Sequence, residues 1–215
     1  MRRQIFWASL ILALLCGPVM GDDIHPPPWR GQYSTTSQVW EFSTSLQLNI
    51  PPDCAATGGQ PPLASTMITR IVPGPMPWDH WLDIYNSRQG IWPLSGLMDV
   101  IVDNHKPPNW IKEVWVQITW MPQTPGELPI FENLDPAPVK PPMLLDCVSL
   151  PNGWFHSTYY WEIRPNPPDE VFTITGTINV DELVIDTWCI PEPATMALAA
   201  LGGCGLIFLR KRFGK

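Results

Sequence analysis

Prolines decide what this chain can become. There are 27 of them in 215 residues, roughly two and a half times the usual ~5% usage. Each lacks the amide donor that a helix interior or a central strand requires. They belong between elements, and the clusters Pro26-Pro27-Pro28, Pro51-Pro52, Pro107-Pro108 and Pro141-Pro142 do fall between stretches in which apolar and polar residues alternate. A period of two is the mark of a half-buried strand, so the punctuation describes a β protein.

The clearest alternation runs from Trp40 to Ile50. Trp40, Phe42, Leu46, Leu48 and Ile50 share one parity, and Glu41, Ser43, Ser45, Gln47 and Asn49 share the other. This predicts one continuous strand with a buried face and a wet face. Ile111 to Trp120 repeats the pattern, with Val114, Val116, Ile118 and Trp120 facing one way and Glu113, Trp115, Gln117 and Thr119 the other. Shorter signals occupy Thr66 to Val72 and Leu97 to Val102. Further on, Phe155, Tyr159, Trp161 and Ile163 alternate with His156, Thr158, Tyr160 and Glu162, and the turn Pro165-Asn166-Pro167-Pro168-Asp169 follows. A partner strand is expected next, through Phe172, Ile174, Ile178 and Val180, passing Gly176 by a bulge or a close backbone approach. Leu183 to Trp188 closes the body. One short helix is predicted from the i, i+3, i+4, i+7 spacing of Trp78, Trp81, Leu82 and Tyr85 behind prolines that can start it. Seven or so strands imply an all-β fold, a two-sheet antiparallel sandwich with a jelly roll among its topologies. No internal repeat supports a solenoid or propeller.

The two ends differ from this body. Met1-Arg2-Arg3-Gln4 precedes an apolar run of 12 residues from Ile5 to Cys16, and then Gly17-Pro18-Val19-Met20-Gly21 leads to Asp22-Asp23. That is the order of a secretory signal peptide, too short to span a ~30 Å hydrocarbon core. Small residues at Val19 and Gly21 set the expected cut between Gly21 and Asp22. The lipoprotein alternative at Cys16 is weakened by Leu15, where a small residue belongs. At the other end Pro191-Glu192-Pro193 precedes an apolar stretch from Ala194 to Leu209, followed by Arg210-Lys211-Arg212. Such a cationic cluster stays on the cytoplasmic side and halts translocation. The apolar stretch makes a helix of about 24 Å, short for a lasting anchor and adequate for a transient transmembrane one. The sequence thus divides into a signal peptide over 1–21, an exported β-sandwich over 22–189, and a tail over 190–215 with a transmembrane helix at 194–209, giving hydrophobic helices at both termini.

The tail resembles the PEP-CTERM sorting signal: a Pro-Glu-Pro motif, a hydrophobic helix and a basic cluster, in that order at the terminus. The resemblance covers Pro191 to about Arg212. It implies that an exosortase-type membrane protease recognises Pro191, Glu192 and Pro193 and removes the tail, while Arg210, Lys211 and Arg212 hold it in the inner membrane. It further implies a bacterial envelope protein, tethered to the inner membrane as an intermediate and then delivered to the cell surface or extracellular matrix. Independently of the family, two prolines keep helix from continuing upstream of Ala194 and leave an extended, accessible peptide at the membrane face. The alternative is an ordinary C-terminal anchor with a fortuitous Pro-Glu-Pro.

The exported body carries 7 basic and 19 acidic side chains, a formal charge of −12, which repels phosphate backbones and argues against a nucleic-acid partner. Of its cysteines, Cys54, Cys147 and Cys189, an oxidising compartment permits one disulfide with three open pairings, and ordinary buried thiols are the alternative. There is no CxxC pair, Gly-x-Ser-x-Gly elbow, His-Glu-x-x-His helix or phosphate-gripping loop, so no catalytic residue, metal or cofactor is assigned. His25, His80, His105 and His156 are widely spread. Asp79, His80 and Asp83 would make half a metal site, but a short helix exposing charge explains them at less cost. Asp181, Glu182 and Asp186 suit calcium, yet solvated strand-edge carboxylates are the simpler reading. Eleven of the twelve tryptophans lie in the body. Trp115, whose neighbours Val114 and Val116 are assigned inward, is the candidate for stacking on a sugar ring; cover by a second sheet or loop is the alternative, and the burial tryptophan usually shows favours it.

The reading is a non-enzymatic surface or matrix protein of structural or adhesive type. Its first rival is a carbohydrate-binding module for extracellular polysaccharide; Ile178 to Asp186 resembles the last strand of secreted jelly-roll modules, carbohydrate-binding ones included, a likeness that supports the fold more than it supports sugar binding. Its second is a polysaccharide hydrolase with paired carboxylates, whose separation only a fold can reveal. Coplanar tryptophans on a concave sheet would favour the first rival, and facing carboxylates in a deep cleft the second.

Overall fold

The structure is a computed structural model and describes residues 22–58, 66–72, 74, 80–103 and 110–191. Thirteen strands run through these residues: β1 Thr35–Trp40, β2 Leu48–Ile50, β3 Cys54–Thr57, β4 Met67–Val72, β5 Leu82–Tyr85, β6 Arg88–Leu94, β7 Leu97–Asp103, β8 Trp110–Pro122, β9 Ile130–Asp135, β10 Met143–Ser149, β11 Phe155–Ile163, β12 Asp169–Thr175 and β13 Ile178–Pro191. They form two antiparallel sheets. The larger follows the order β10-β11-β8-β13-β1-β3, with β6 on the free half of β13 and β5 on β6; the smaller follows β2-β4-β7-β12-β9.

The alternation at residues 111–120 and 155–163 holds in space. β8 contributes Val114, Val116, Ile118 and Trp120 to the core, β11 contributes Tyr159, Trp161 and Ile163, and the facing sheet answers with Ile68, Met98, Val100, Val102, Phe172 and Ile174. Phe131 of β9 locks the layers together, its ring centroid 4.6 Å from Tyr159 and 5.9 Å from Phe172. Lys112 and Glu170 continue the inward parity of β8 and β12. They form a fully buried ion pair across the sandwich, Nζ to Oε1 3.4 Å.

Several expectations need correction. The continuous strand from Trp40 to Ile50 is two strands in two sheets, because Phe42 takes a positive φ of 49° and turns the chain out of β1. Trp40, Phe42 and Ile50 remain buried while Leu46 and Leu48 are exposed, and the Trp40 indole donates to the Ile50 carbonyl at 3.1 Å across the crossing. The rhythm from Phe172 to Val180 likewise spans two sheets. β12 pairs with β7 and β9 and not with β11, and the chain changes sheet at Gly176. The close approach expected at Gly176 is present: a Cβ there would lie 2.8 Å from the Leu128 carbonyl oxygen.

The helix expected around Trp81, Leu82 and Tyr85 is a hairpin. β5 and β6 are joined by Asn86-Ser87, both at positive φ (49° and 70°), the two-residue turn whose twist matches paired strands; Trp78 lies outside the described residues. The two terminal helices also lie outside them, and among the described residues no helix is long and apolar enough to cross a membrane. None of the three disulfide pairings among Cys54, Cys147 and Cys189 forms: Cys54 is disulfide-bonded, and neither Cys147 nor Cys189 takes part in a disulfide.

Candidate functional site

The face of the larger sheet that points away from the core is polar in sequence and buried in space. Gln117 and Thr119 of β8, His156 and Thr158 of β11, and Glu182 and Asp186 of β13 are each at most 3% exposed. The cover is the segment Asp22 to Gln32, laid across the sheet as a strap. Its first residues run outward from β13: the Asp22 backbone N–H donates to Glu182 Oε2 at 2.6 Å, and the His25 N–H donates to Gln117 Oε1 at 2.9 Å. His25 Nδ1 lies 3.3 Å from Asp146 of β10. Pro26-Pro27-Pro28, which have no donors to lose, reverse it, with the Arg30 N–H returning to the Pro27 carbonyl at 3.0 Å. Trp29 then rests on Trp188 of β13, centroids 5.7 Å apart.

Charge ties the strap down. Arg30 forks onto Asp186, 2.7 Å from Nε to Oδ1 and 2.5 Å from an Nη to Oδ2, and also pairs with Asp23. Burial pushes the Asp186 carboxyl up to about 6, with Arg30 pulling the other way. Beneath, Gln117 fixes a histidine tautomer. Its amide nitrogen donates to Asp23 at 2.7 Å, so its oxygen is the atom facing His156 Nε2 at 3.1 Å. Nε2 therefore carries the proton, and Nδ1 accepts from Thr119 at 3.1 Å. Burial lowers the His156 pKa and keeps the ring neutral.

At the start of the strap lies a hollow of about 410 Å³ lined by Asp22, Glu41, Trp81, Asp83, Arg88, Asp181 and Glu182 among others. A β-bulge builds it. The register between β13 and β8 shifts from Val180 opposite Trp120 to Glu182 opposite Thr119. Asp181 is the extra residue, so Ile178 and Val180 before it and Leu183 and Ile185 after it all reach the core. Asp181 and Glu182 are thereby turned toward the outer layer. Arg88 of β6 stands over the Trp154 ring at 5.1 Å and pairs with both Asp22 and Asp181. Burial pushes Asp181 up to about 6 against the pull of Arg88. Burial pushes Glu182 up to about 8, the Asp22 N–H opposing and the charges of Asp22, Asp181 and Glu41 adding to the rise.

The residues singled out in sequence fall as follows. Asp181, Glu182 and Asp186 are neither solvated nor on an edge strand; they are buried on a central one. His80 and Asp83 are exposed and Asp79 lies outside the described residues. Among the described residues no group of three His, Cys, Asp or Glu is arranged to hold a metal ion. Trp115 points outward, but its indole N–H donates to the His25 carbonyl at 3.0 Å, its ring meets Tyr160 edge-on and it is half-buried. Within the hollow, Asp181 is held by Arg88, and Glu182 Oε1 is buried.

Arg30 and Arg88, which organise the layer, escape a motif search. Their signal is scarcity: cations are few in so acidic a body, and the fold places these two against buried carboxylates.

Of the sorting residues, Pro191 is the last of β13, opposite Trp110; Glu192, Pro193, Arg210, Lys211 and Arg212 lie outside the described residues, as do Gly21 and all before it. No curated protein and no solved structure matches the chain. Residues 190–212 match the family model described as the PEP-CTERM protein-sorting motif. The chain therefore carries a PEP-CTERM sorting signal where its sandwich ends, which marks it for export to the cell envelope and exosortase-dependent processing.

Proposed function

We propose that this is a non-enzymatic structural or adhesive protein of the cell surface or extracellular matrix, delivered by an N-terminal signal peptide cut before Asp22 and a tail that tethers it briefly to the inner membrane. The observation that carries the reading is the placement of the motif: the match begins at Ile190, within the last two residues of β13. A folded body is followed directly by an export-processing signal, with no further described domain between them.

The tryptophans support a structural role over polysaccharide recognition. Trp29, Trp40, Trp92, Trp120, Trp154 and Trp161 are buried, and Trp81, Trp110, Trp115 and Trp188 are partly buried. Of the partly buried ones, Trp81 lines the hollow beside β13 and Trp115 gives its indole N–H to the His25 carbonyl. The outer face of the larger sheet, where a carbohydrate platform would lie, is occupied by the strap.

Fractionation of the producing bacterium tests the delivery. The full chain should reach the surface or matrix fraction without its tail, and replacing Pro191, Glu192 and Pro193 by alanine should leave it in the inner membrane with Phe213–Lys215 still attached. Recovery of the intact chain from the cytosol would end the reading.

A further inference from the structure

We propose that the hollow beside β13 is a dock for the chain's own mature N-terminus: the α-ammonium created at Asp22 by signal-peptide removal pairs with the buried carboxylate of Glu182 and locks the strap onto the sheet. The inference rests on the export reading above and adds a consequence to it. The cut hydrolyses the Gly21–Asp22 amide: one water is consumed, Gly21 keeps a carboxylate, and the Asp22 nitrogen becomes an amine that takes the proton released.

The geometry is already set for that product. The nitrogen that would become the terminus lies 2.6 Å from Glu182 Oε2, and as an amide it has one hydrogen to give. Glu182 is 3% exposed, and its second oxygen, Oε1, is buried with no partner. An ammonium carries three donors on the same atom, enough to serve both oxygens and supply a countercharge. The surroundings ask for a cation. Glu41 and Asp83 face the hollow from β1's end and β5, Asp181 and Glu182 from β13, and Asp22 brings its own carboxylate, against Arg88 as the hollow's cation. His156, under the strap, is held neutral. Without the ammonium Glu182 stays protonated near neutral pH, its carboxyl pushed up to about 8 by burial; with it, the ionised form has a partner. Processing would thus change the strap from a segment joined to preceding chain into one closed by a terminal ion pair.

The test uses the exported protein recovered from the producing bacterium in three forms: wild type, a variant with one alanine inserted between Gly21 and Asp22, and Glu182→Gln. The first residue of each is read by mass spectrometry. The α-amine is then labelled with acetic anhydride, folded and in urea. A docked terminus in the wild type should label at least about tenfold more slowly folded than unfolded. The inserted residue, which moves the amine out of reach, should reduce that protection to within about twofold, and Glu182→Gln should remove most of it. A wild-type chain that begins at Asp22 but labels equally fast in both states overturns the dock and leaves the export reading standing, and so does an inserted variant protected as well as wild type. A mature chain that begins elsewhere overturns the cleavage reading and the dock together.

Discussion

Replacing Lys112 by methionine should destabilise the body by about 3–5 kcal/mol at pH 8, the usual cost of breaking one side of a buried pair. The structure gives the same scale. At 3.4 Å and an effective dielectric near 20, the two charges attract by about 5 kcal/mol. Beyond each other, neither Lys112 Nζ nor the Glu170 oxygens have a hydrogen-bond partner, so nothing else compensates the carboxylate once Lys112 is gone. Burial raises the Glu170 pKa and Lys112 opposes that rise, so the single variant can relieve the strain only by protonating Glu170. The sign follows. A folded-state pKa above the unfolded value gives stability that is present at low pH and lost as pH rises, so the deficit against wild type should shrink toward pH 5 and grow toward pH 8. Urea unfolding followed by tryptophan fluorescence measures it; with a slope of roughly 2 kcal/mol per molar, the midpoint at pH 8 should fall by about 2 M. The double variant Lys112→Met/Glu170→Leu, with neither charge, should recover to within about 1 kcal/mol of wild type or exceed it. A single-variant cost under about 1 kcal/mol at pH 8, or a double variant no better than the single, would refute the account of this pair.

Three further outcomes are expected. In a chain that keeps residues ahead of Asp22, the raised carboxyls make stability fall as pH climbs through about 6 for Asp181 and Asp186 and about 8 for Glu182; Glu182→Gln should flatten the upper limb, a gain on the order of 3 kcal/mol at pH 9 after allowance for partial screening, read from melting temperature against pH. Gly176→Ala should cost about 2 kcal/mol or more, because φ is 141° there and the added carbon meets the Leu128 carbonyl at 2.8 Å; equal urea midpoints would contradict the close approach. Arg30→Ala strands Asp186, whose side chain is 0% exposed, and should cost about 3 kcal/mol while opening the strap to protease between Asp22 and Gln32; unchanged cleavage would count against charge as its fastening.

What the sequence revealed and what it hid follow one physical line. Alternation reports which residues share a face of a strand, and it placed β7, β8 and β11 because each is a single pleated run, while β4 was placed in spite of the register shift between Ile68 and Arg70. It says nothing about which sheet a strand joins. The chain turned out of the larger sheet at Phe42 and into it after Gly176 while the rhythm of large residues continued, so two strands read as one. Nor does a polar parity mean a wet face. Gln117, Thr119, His156 and Thr158 look solvated until a proline-rich segment some ninety positions away covers Gln117. The segment that ends in β5 mimicked a helix because Trp78, Trp81, Leu82 and Tyr85 span only eight positions, too few periods to tell 3.6 from 2. The bulge does leave a mark in the sequence: Ile178 and Val180 are even, Leu183 and Ile185 odd, and parity changes across Asp181-Glu182.

β13 is last in sequence and central in space. β8 lines one side of it along its length, and β6 and β1 share the other. Trp40 therefore pairs with Leu183, a contact between the two ends of the body, and such non-local pairing forms late. Until residues 178–191 are in place the larger sheet is open, with β8, β6 and β1 presenting unpaired edges. Open edges of this kind invite pairing with other chains. Under the tether proposed above, the last strand gains time to insert before release. The motif begins inside that strand, at Ile190, so the rungs Ile190 to Ile111 and Pro191 to Trp110 are shared between fold and signal. Pro191 has no amide hydrogen to give to the ladder, which makes the final rung the least costly to open. A protease reading Pro191 in extended form can thus act on a sandwich already closed from Ile178 onward, and processing need not undo the fold it releases.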